Sequence, residues 1–216
     1  MAKTAQPPLS INEEQLVFGF EHSLTITQFA ALEQILGDLV AAGADARSRN
    51  AVRTAFFGIE SFRTKLEFAD RYVQLLVKDS PDLLERWRIV LKACNKANIG
   101  RNHVVHYTKI VHTQEKAGRR VVLVPHPTNP SRRRATATTP EQPGAAPDDS
   151  IGVRQLVEIR YTIFAAYMAV HSFRAVASGA ADIFATVKPP QAPTLAVITT
   201  NYRQLATMAA VQGALS

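Results

Sequence analysis

Apolar residues recur at the spacing of amphipathic helices along the first third of this chain. Over residues 27–40, and again over residues 48–76, they return about every 3.6 positions, with polar residues between them. The pattern predicts a first helix that ends before Gly43 and a second, long helix. The apolar stripe of the second helix consists of Val52, Phe56, Ile59, Phe62, Leu66, Ala69, Val73 and Leu76.

Two further helices are expected. Ser80-Pro81-Asp82 provides a capping hydroxyl, a proline that needs no N–H partner and a carboxylate for the positive first turn, so a third helix should begin there. Asp149 or Ser150 can cap a fourth helix, whose apolar positions continue to about residue 187. The prolines of residues 189–193 then end it.

The pattern changes between the third and fourth helices. Two β-rich runs, residues 109–113 and 119–124, flank a glycine-containing turn and predict a short hairpin. Residues 125–149 contain six prolines and the triplet Arg132-Arg133-Arg134. We therefore expect a mobile loop there rather than a packed element.

These elements predict an all-α protein. Four helices with one apolar stripe each can bury their stripes in an antiparallel bundle, with the hairpin and the loop inserted before the last helix. We place this domain at residues 1–188, and a Pro-rich linker with a C-terminal tail at residues 189–216. The last helix is apolar beyond one stripe, which suits either contact with a second subunit or the centre of the bundle.

Composition narrows the class of protein. The 216 residues allow one globular domain with a core, while ten glycines and one cysteine exclude collagen-like and disulfide-stapled proteins. No apolar run is long enough to span a bilayer, and residues 1–12 lack the apolar segment of a secretory signal. We expect a soluble, cytoplasmic protein in which Cys94 lies on the core face as an unreactive thiol.

The net charge of +7 is concentrated in the middle of the chain. Residues 46–107 contain twelve Lys and Arg residues and six acids, whereas residues 1–45 contain one base and six acids. A basic segment of this kind fits a polyanion such as RNA, because phosphate contacts need clustered positive charge. A solvated helix surface of mixed charge explains it equally well.

The segment Arg101-Asn102-His103-Val104-Val105-His106 is the candidate for chemistry. It follows Gly100, which marks the end of the third helix or a bend in it. On a helix Asn102 and His106 face the same way, and Arg101 has the reach to join them. Arginine binds phosphate as a forked cation, histidine exchanges a proton near neutral pH, and asparagine orients a ligand oxygen or the imidazole. These groups are the ones needed to cleave RNA without a metal.

This segment resembles the signature of the HEPN domain family. The signature is an arginine, often followed by asparagine, and then a histidine four to six residues later, on an all-helical bundle. Arg101, Asn102 and His106 match it, while Tyr107 stands where a small residue is common. At the level of helices the resemblance extends over about residues 27–187. Many members are metal-independent endoribonucleases that dimerise with their motifs facing across a cleft, often in toxin–antitoxin, phage-defence or RNA-processing systems, and others bind without catalysis.

The resemblance implies a role for each residue of the motif. Arg101 would hold the scissile phosphate, His106 would act as general base or acid, and Asn102 would orient. His103 and the triplet Arg132-Arg133-Arg134 are candidate contacts to the RNA backbone. The implied partners are RNA, a second copy of the chain and an antitoxin or other protein, without a metal, a cofactor or a membrane.

Other interpretations stay open. Arg101 and His106 can instead close the end of a bundle by bonding to backbone carbonyls or to Glu60 or Glu67. The chain can also be a non-catalytic module of the same architecture that binds a protein or a nucleic acid. A metal cluster of the histidines is disfavoured, because their spacing is not that of zinc sites: His103, His106, His112 and His126.

Overall fold

The described part of the chain is mostly helical, which confirms the all-α class. The computed structural model describes residues 10–114, 118–125, 150–180 and 191–193, with single residues at 197, 200, 201 and 203. The helices in this part are α1 (Ile11–Ala42), α2 (Arg49–Gly58), α3 (Phe62–Leu76), α4 (Pro81–His106) and α5 (Val153–Ala177).

Two strands lie between α4 and α5 in the sequence. Strands β1 (Tyr107–Gln114) and β2 (Gly118–Pro125) pair antiparallel, with Tyr107 opposite Pro125. Leu123 also exchanges two backbone hydrogen bonds with Ile151, at 2.8 and 2.9 Å. The turn between the strands, the loop predicted after Pro125 and nearly all of the predicted tail lie outside the described residues.

Helix α1 begins at Ile11, so the predicted start near residue 27 is wrong. Its N-terminus is a capping box, in which the Ser10 N–H donates to the Glu13 carboxylate at 2.7 Å and the Glu13 N–H donates to Ser10 Oγ at 3.3 Å. The bond from the Ser10 backbone, followed by one from the Arg203 side chain at 3.1 Å, lowers the pKa of Glu13 to about 2. The cap therefore keeps its negative charge at the positive end of the helix.

The second predicted helix is in fact two helices. α2 ends at Gly58, Ile59 is extended, and the extended Ser61 precedes α3. Phe56 and Phe62, on either side of the break, are both buried in the same core, so the apolar spacing continues across a break that it does not reveal. Leu76, the last residue of the predicted stripe, is exposed.

Helix α5 ends at Ala177, before the end predicted near residue 187. Gly179 has φ 73° and forms a Schellman motif, in which the Gly179 N–H donates to Val176 and the Ala180 N–H donates to Ala175. The left-handed conformation is open to glycine without steric cost, so Gly179 provides the stop that the apolar periodicity passed over. Residues 181–190 lie outside the described residues.

The chain divides into two compact units, each described by itself. One unit comprises residues 24–105 and 159–190, and the other comprises residues 1–23, 106–158 and 191–216. The first has a core drawn from α1 to α5, whose largest fully buried side chains are Trp87, Phe56, Leu32, Leu36, Ile163 and Val73. In the second, the buried side chains include Val121, Leu123, Ile151, Leu156 and Val157.

Two glycines of α1 should respond in opposite ways to alanine. A Cβ at Gly37 would lie 2.7 Å from Cζ of Phe57 and 2.9 Å from Cδ1 of the buried Phe56, whereas a Cβ at Gly19 meets nothing within 4 Å. We expect Gly37→Ala to lower the free energy of unfolding by about 1–3 kcal/mol. Gly19→Ala is the matched control and should raise it by roughly 0.5–1 kcal/mol, because alanine favours the helix. Urea unfolding measures both, and equal effects would contradict the close packing at Gly37.

Candidate functional site

The motif lies on an unbroken helix. α4 runs from Pro81 to His106, so its start at the predicted proline is confirmed and Gly100 does not end it. A Cβ at Gly100 would lie 2.9 Å from Cγ2 of Ile159, on α5. Gly100 therefore permits a close approach of α4 to α5 immediately before Arg101.

Arg101 is partly buried and held by two neighbours. Its guanidinium carbon lies 5.4 Å from the centre of the Phe29 ring, on α1, and its Nη1 donates a hydrogen bond to Oδ1 of Asn102 at 3.2 Å. The ring contact is a cation–π interaction, and Phe29 itself is buried in the core. The guanidinium has five N–H donors, of which the bond to Asn102 uses one. Within the described residues, Arg101 is thus a cation held by two neighbours, with N–H donors left for a ligand.

Asn102 and His106 occupy one side of α4. They are four residues apart, which places them on the same helical face. Asn102 is partly buried, and its oxygen is oriented by Arg101. His106 is the last residue of the helix and its imidazole is exposed. The structure thus joins Arg101 to Asn102 directly.

Glu60 and Glu67, the alternative partners of the motif, form no ion pair with it within the described residues. Glu67 pairs with Arg63 at 3.1 Å, and no described ion pair joins Arg101 or His106 to Glu60 or Glu67. In this part of the chain, the motif is not tied to those two acids as a closing ion pair.

Of the other candidate RNA contacts, His103 lies within the described residues and the arginine triplet does not. His103 is exposed on α4, on the turn before His106. Val104, between these two histidines, is buried. The triplet Arg132-Arg133-Arg134 lies outside the described residues, so its role stays a prediction.

Cys94 is buried, as predicted, in the same core as Trp87. Burial raises the pKa of its thiol to about 12, so the reactive thiolate is scarce at neutral pH. Among the described residues, no group of three or more His, Cys, Asp or Glu side chains is arranged to hold a metal ion. The side chains of His112 and His126 lie outside that part of the chain.

Sequence reasoning missed two residues that support the motif. Phe29 belongs to the predicted stripe of the first helix, but nothing in its spacing indicates that it lies under Arg101. The sequence shows Gly100 only as a possible helix end or bend, because its contact is with Ile159, a residue far away in the sequence. The position of a glycine directly before the polar motif is the one sequence signal that could have indicated this close contact.

Comparison of the chain with protein-family models, with curated proteins and with solved structures gave no match in any of the three. The search for bilayer-crossing segments, made over the described helices, found none with the necessary length and apolar character.

Proposed function

We propose that this chain is a HEPN-type, metal-independent endoribonuclease. The observation that carries the proposal is the Arg101–Asn102 pair on α4, with the exposed imidazole of His106 on the same helical face as Asn102. A cation, an orienting amide and an exposed proton carrier are then supplied by one helix.

The reaction follows from the chemistry of these groups. His106 takes the proton from the 2′-hydroxyl of a ribose, and that oxygen forms a bond to the adjacent phosphorus. The bond from phosphorus to the 5′-oxygen of the next nucleotide breaks, and the leaving oxygen receives a proton from water while His106 releases its proton to the solvent. Arg101 stabilises the negative charge on the phosphoryl oxygens, and Asn102 keeps the guanidinium in place. The products are a 2′,3′-cyclic phosphate and a free 5′-hydroxyl.

The architecture that we propose is the antiparallel four-helix bundle with the hairpin inserted before the last helix. In this proposal α2 and α3 together form the second helical element, because they share one apolar stripe. The chain forms a homodimer in which the motifs of two copies face each other. Helix α5 supports this, since several apolar or aromatic side chains outside its buried stripe are only partly covered: Phe164, Tyr167, Met168 and His171.

We place this activity in the cytoplasm, in a toxin–antitoxin or phage-defence role with an antitoxin or another protein as partner. The toxin–antitoxin or phage-defence role and the protein partner rest on the resemblance of the motif to the HEPN signature.

The second candidate is a non-catalytic HEPN-like module that binds a protein or a nucleic acid. The contact of Arg101 with Phe29 favours it, because a guanidinium over a core ring also stabilises the fold. The two candidates differ in whether RNA is cut.

Incubation of the purified chain with single-stranded RNA in EDTA tests the proposal. We expect cleavage without added metal, with 2′,3′-cyclic phosphate ends, and no cleavage of an RNA that carries 2′-deoxyribose at the cut position. The deoxy-substituted RNA is the matched control, because it keeps every phosphate and loses only the attacking oxygen. Intact RNA in EDTA would reject the nuclease, and retention of that RNA at low salt would favour the binding module.

A further inference from the structure

One exposed stripe on α4 leads to the motif. Its members follow one another at alternating intervals of three and four residues, the spacing that keeps side chains on one helical face. We call it the α4 stripe, and it consists of Ile89, Lys92, Lys96, Ile99, His103 and His106, all of them exposed. At about 1.5 Å per residue it extends for about 25 Å, enough for several nucleotides.

Among the described residues, the two lysines of the α4 stripe have no acidic partner. Lys92 and Lys96 form no ion pair there, whereas other helix-surface cations do so at similar spacing, as Arg63 does with Glu67 and Arg154 with Glu158. The residues three and four positions away from either lysine are uncharged or basic. Two lysines four residues apart repel each other on a helix, so this arrangement costs free energy in the free protein. A polyanion removes that cost.

The exposed isoleucines give the α4 stripe a second property. Ile89 is 61% exposed and Ile99 is 60% exposed, and they flank the lysines on both sides. Unstacked bases of a single strand have apolar faces that such side chains can cover, whereas the bases of a duplex are already stacked. A second copy of this chain packed along the same stripe would bring the lysines of the two copies together. At the two lysines, charge therefore favours RNA over a second copy of the chain.

We propose that the α4 stripe binds the backbone of single-stranded RNA and leads the strand to His106. Lys92 and Lys96 lie about 6 Å apart along the axis and contact phosphates, while Ile89 and Ile99 contact bases. The strand then passes His103 before the scissile phosphate reaches the motif. This inference rests on the proposed function for its end point, and what it adds is the surface that the strand follows.

The test compares two double variants that remove the same charge. Lys92→Ala/Lys96→Ala alters the stripe, and Arg71→Ala/Lys78→Ala is the control, because both of its residues are exposed and form no described ion pair. Binding of a labelled oligouridine is measured against salt concentration. We expect the slope of log affinity against log salt to become shallower by about 1.4 for the stripe variant, about 0.7 for each lost phosphate contact. The control should keep the wild-type slope.

Three outcomes would overturn the α4 stripe as the binding surface. Equal salt slopes for the two double variants would show that Lys92 and Lys96 do not contact the RNA. Equal competition by an RNA duplex would reject the preference for a single strand. Loss of cleavage of a dinucleotide by the stripe variant would show that the lysines act in the reaction or the fold, since a dinucleotide does not extend along the helix.

The failure of this inference is distinguishable from that of the nuclease. If the stripe variant shows the expected change in slope but the wild-type protein never cuts RNA, the binding surface is supported and the nuclease is rejected. If the wild-type protein cuts RNA but the stripe variant binds oligouridine as the wild type does, the nuclease is supported and the binding surface is rejected.

Discussion

Replacing His106 by alanine should lower the rate of RNA cleavage by about 10²–10⁴-fold and leave the fold intact. The loss is large because the imidazole moves the proton of the attacking hydroxyl. The fold should survive because His106 is exposed at the last position of α4 and makes no described hydrogen bond or ion pair. Single-turnover cleavage of a labelled RNA gives the rate, and circular dichroism with thermal unfolding checks the fold.

Val105→Ala is the matched control for this experiment. Val105 is exposed on the same turn of α4, so its truncation perturbs the helix end without removing a proton carrier. We expect its cleavage rate to remain within about twofold of wild type, since surface substitutions have small effects. Unchanged cleavage by His106→Ala would remove the assignment. A similar loss in both variants would attribute the effect to the helix end rather than to the imidazole.

The motif was visible in the sequence because its geometry is local. Asn102 and His106 share a face on any helix that contains both, and the helix requires only the capping signals of Ser80-Pro81-Asp82 and the apolar period that follows. What holds Arg101 was not visible. Phe29 and Ile159 come close to this segment through packing, and helical periodicity does not specify which neighbour a residue meets.

The limits of the helices were also only partly predictable from the sequence. Apolar spacing found the buried stripes, but it missed the start of α1 at the Ser10–Glu13 capping box and the end of α5 before Gly179. The Ser10–Glu13 capping box and Gly179 are both readable signals, and both outweigh periodicity because they satisfy backbone groups at the helix ends.

The burial of Lys65 cannot be predicted from the local sequence pattern. It lies off the predicted apolar stripe, yet it is 8% exposed and its Nζ donates to Glu33 at 2.7 Å. The ammonium also lies 5.9 Å from the Phe56 and Phe57 ring centres. Its burial depends on a carboxylate from α1, so only the assembled core explains it.

Replacing Trp87 by alanine should lower the free energy of unfolding by about 3–5 kcal/mol, the largest stability effect that we expect. The side chain is 1% exposed, and its ring centre lies 5.1 Å from that of Phe173. Its Nε1 donates to Oδ1 of Asp70 at 2.9 Å. The truncation removes this bond and leaves a cavity between α4 and α5. Urea unfolding should be followed by circular dichroism, because Trp87 is the sole tryptophan and fluorescence is lost with it.

Trp87→Phe separates the two contributions. Phenylalanine keeps an aromatic ring against Phe173 and loses the indole N–H, while Asp70 retains its bond from Gln74 at 2.8 Å. We therefore expect a loss of only about 1–2 kcal/mol. Equal losses for the two variants would attribute the stability to the hydrogen bond, and a loss below about 1 kcal/mol for Trp87→Ala would contradict the position of Trp87 in the core. The motif lies on the same helix as Trp87. If Trp87→Phe leaves this helix folded, the variant should also retain RNA cleavage.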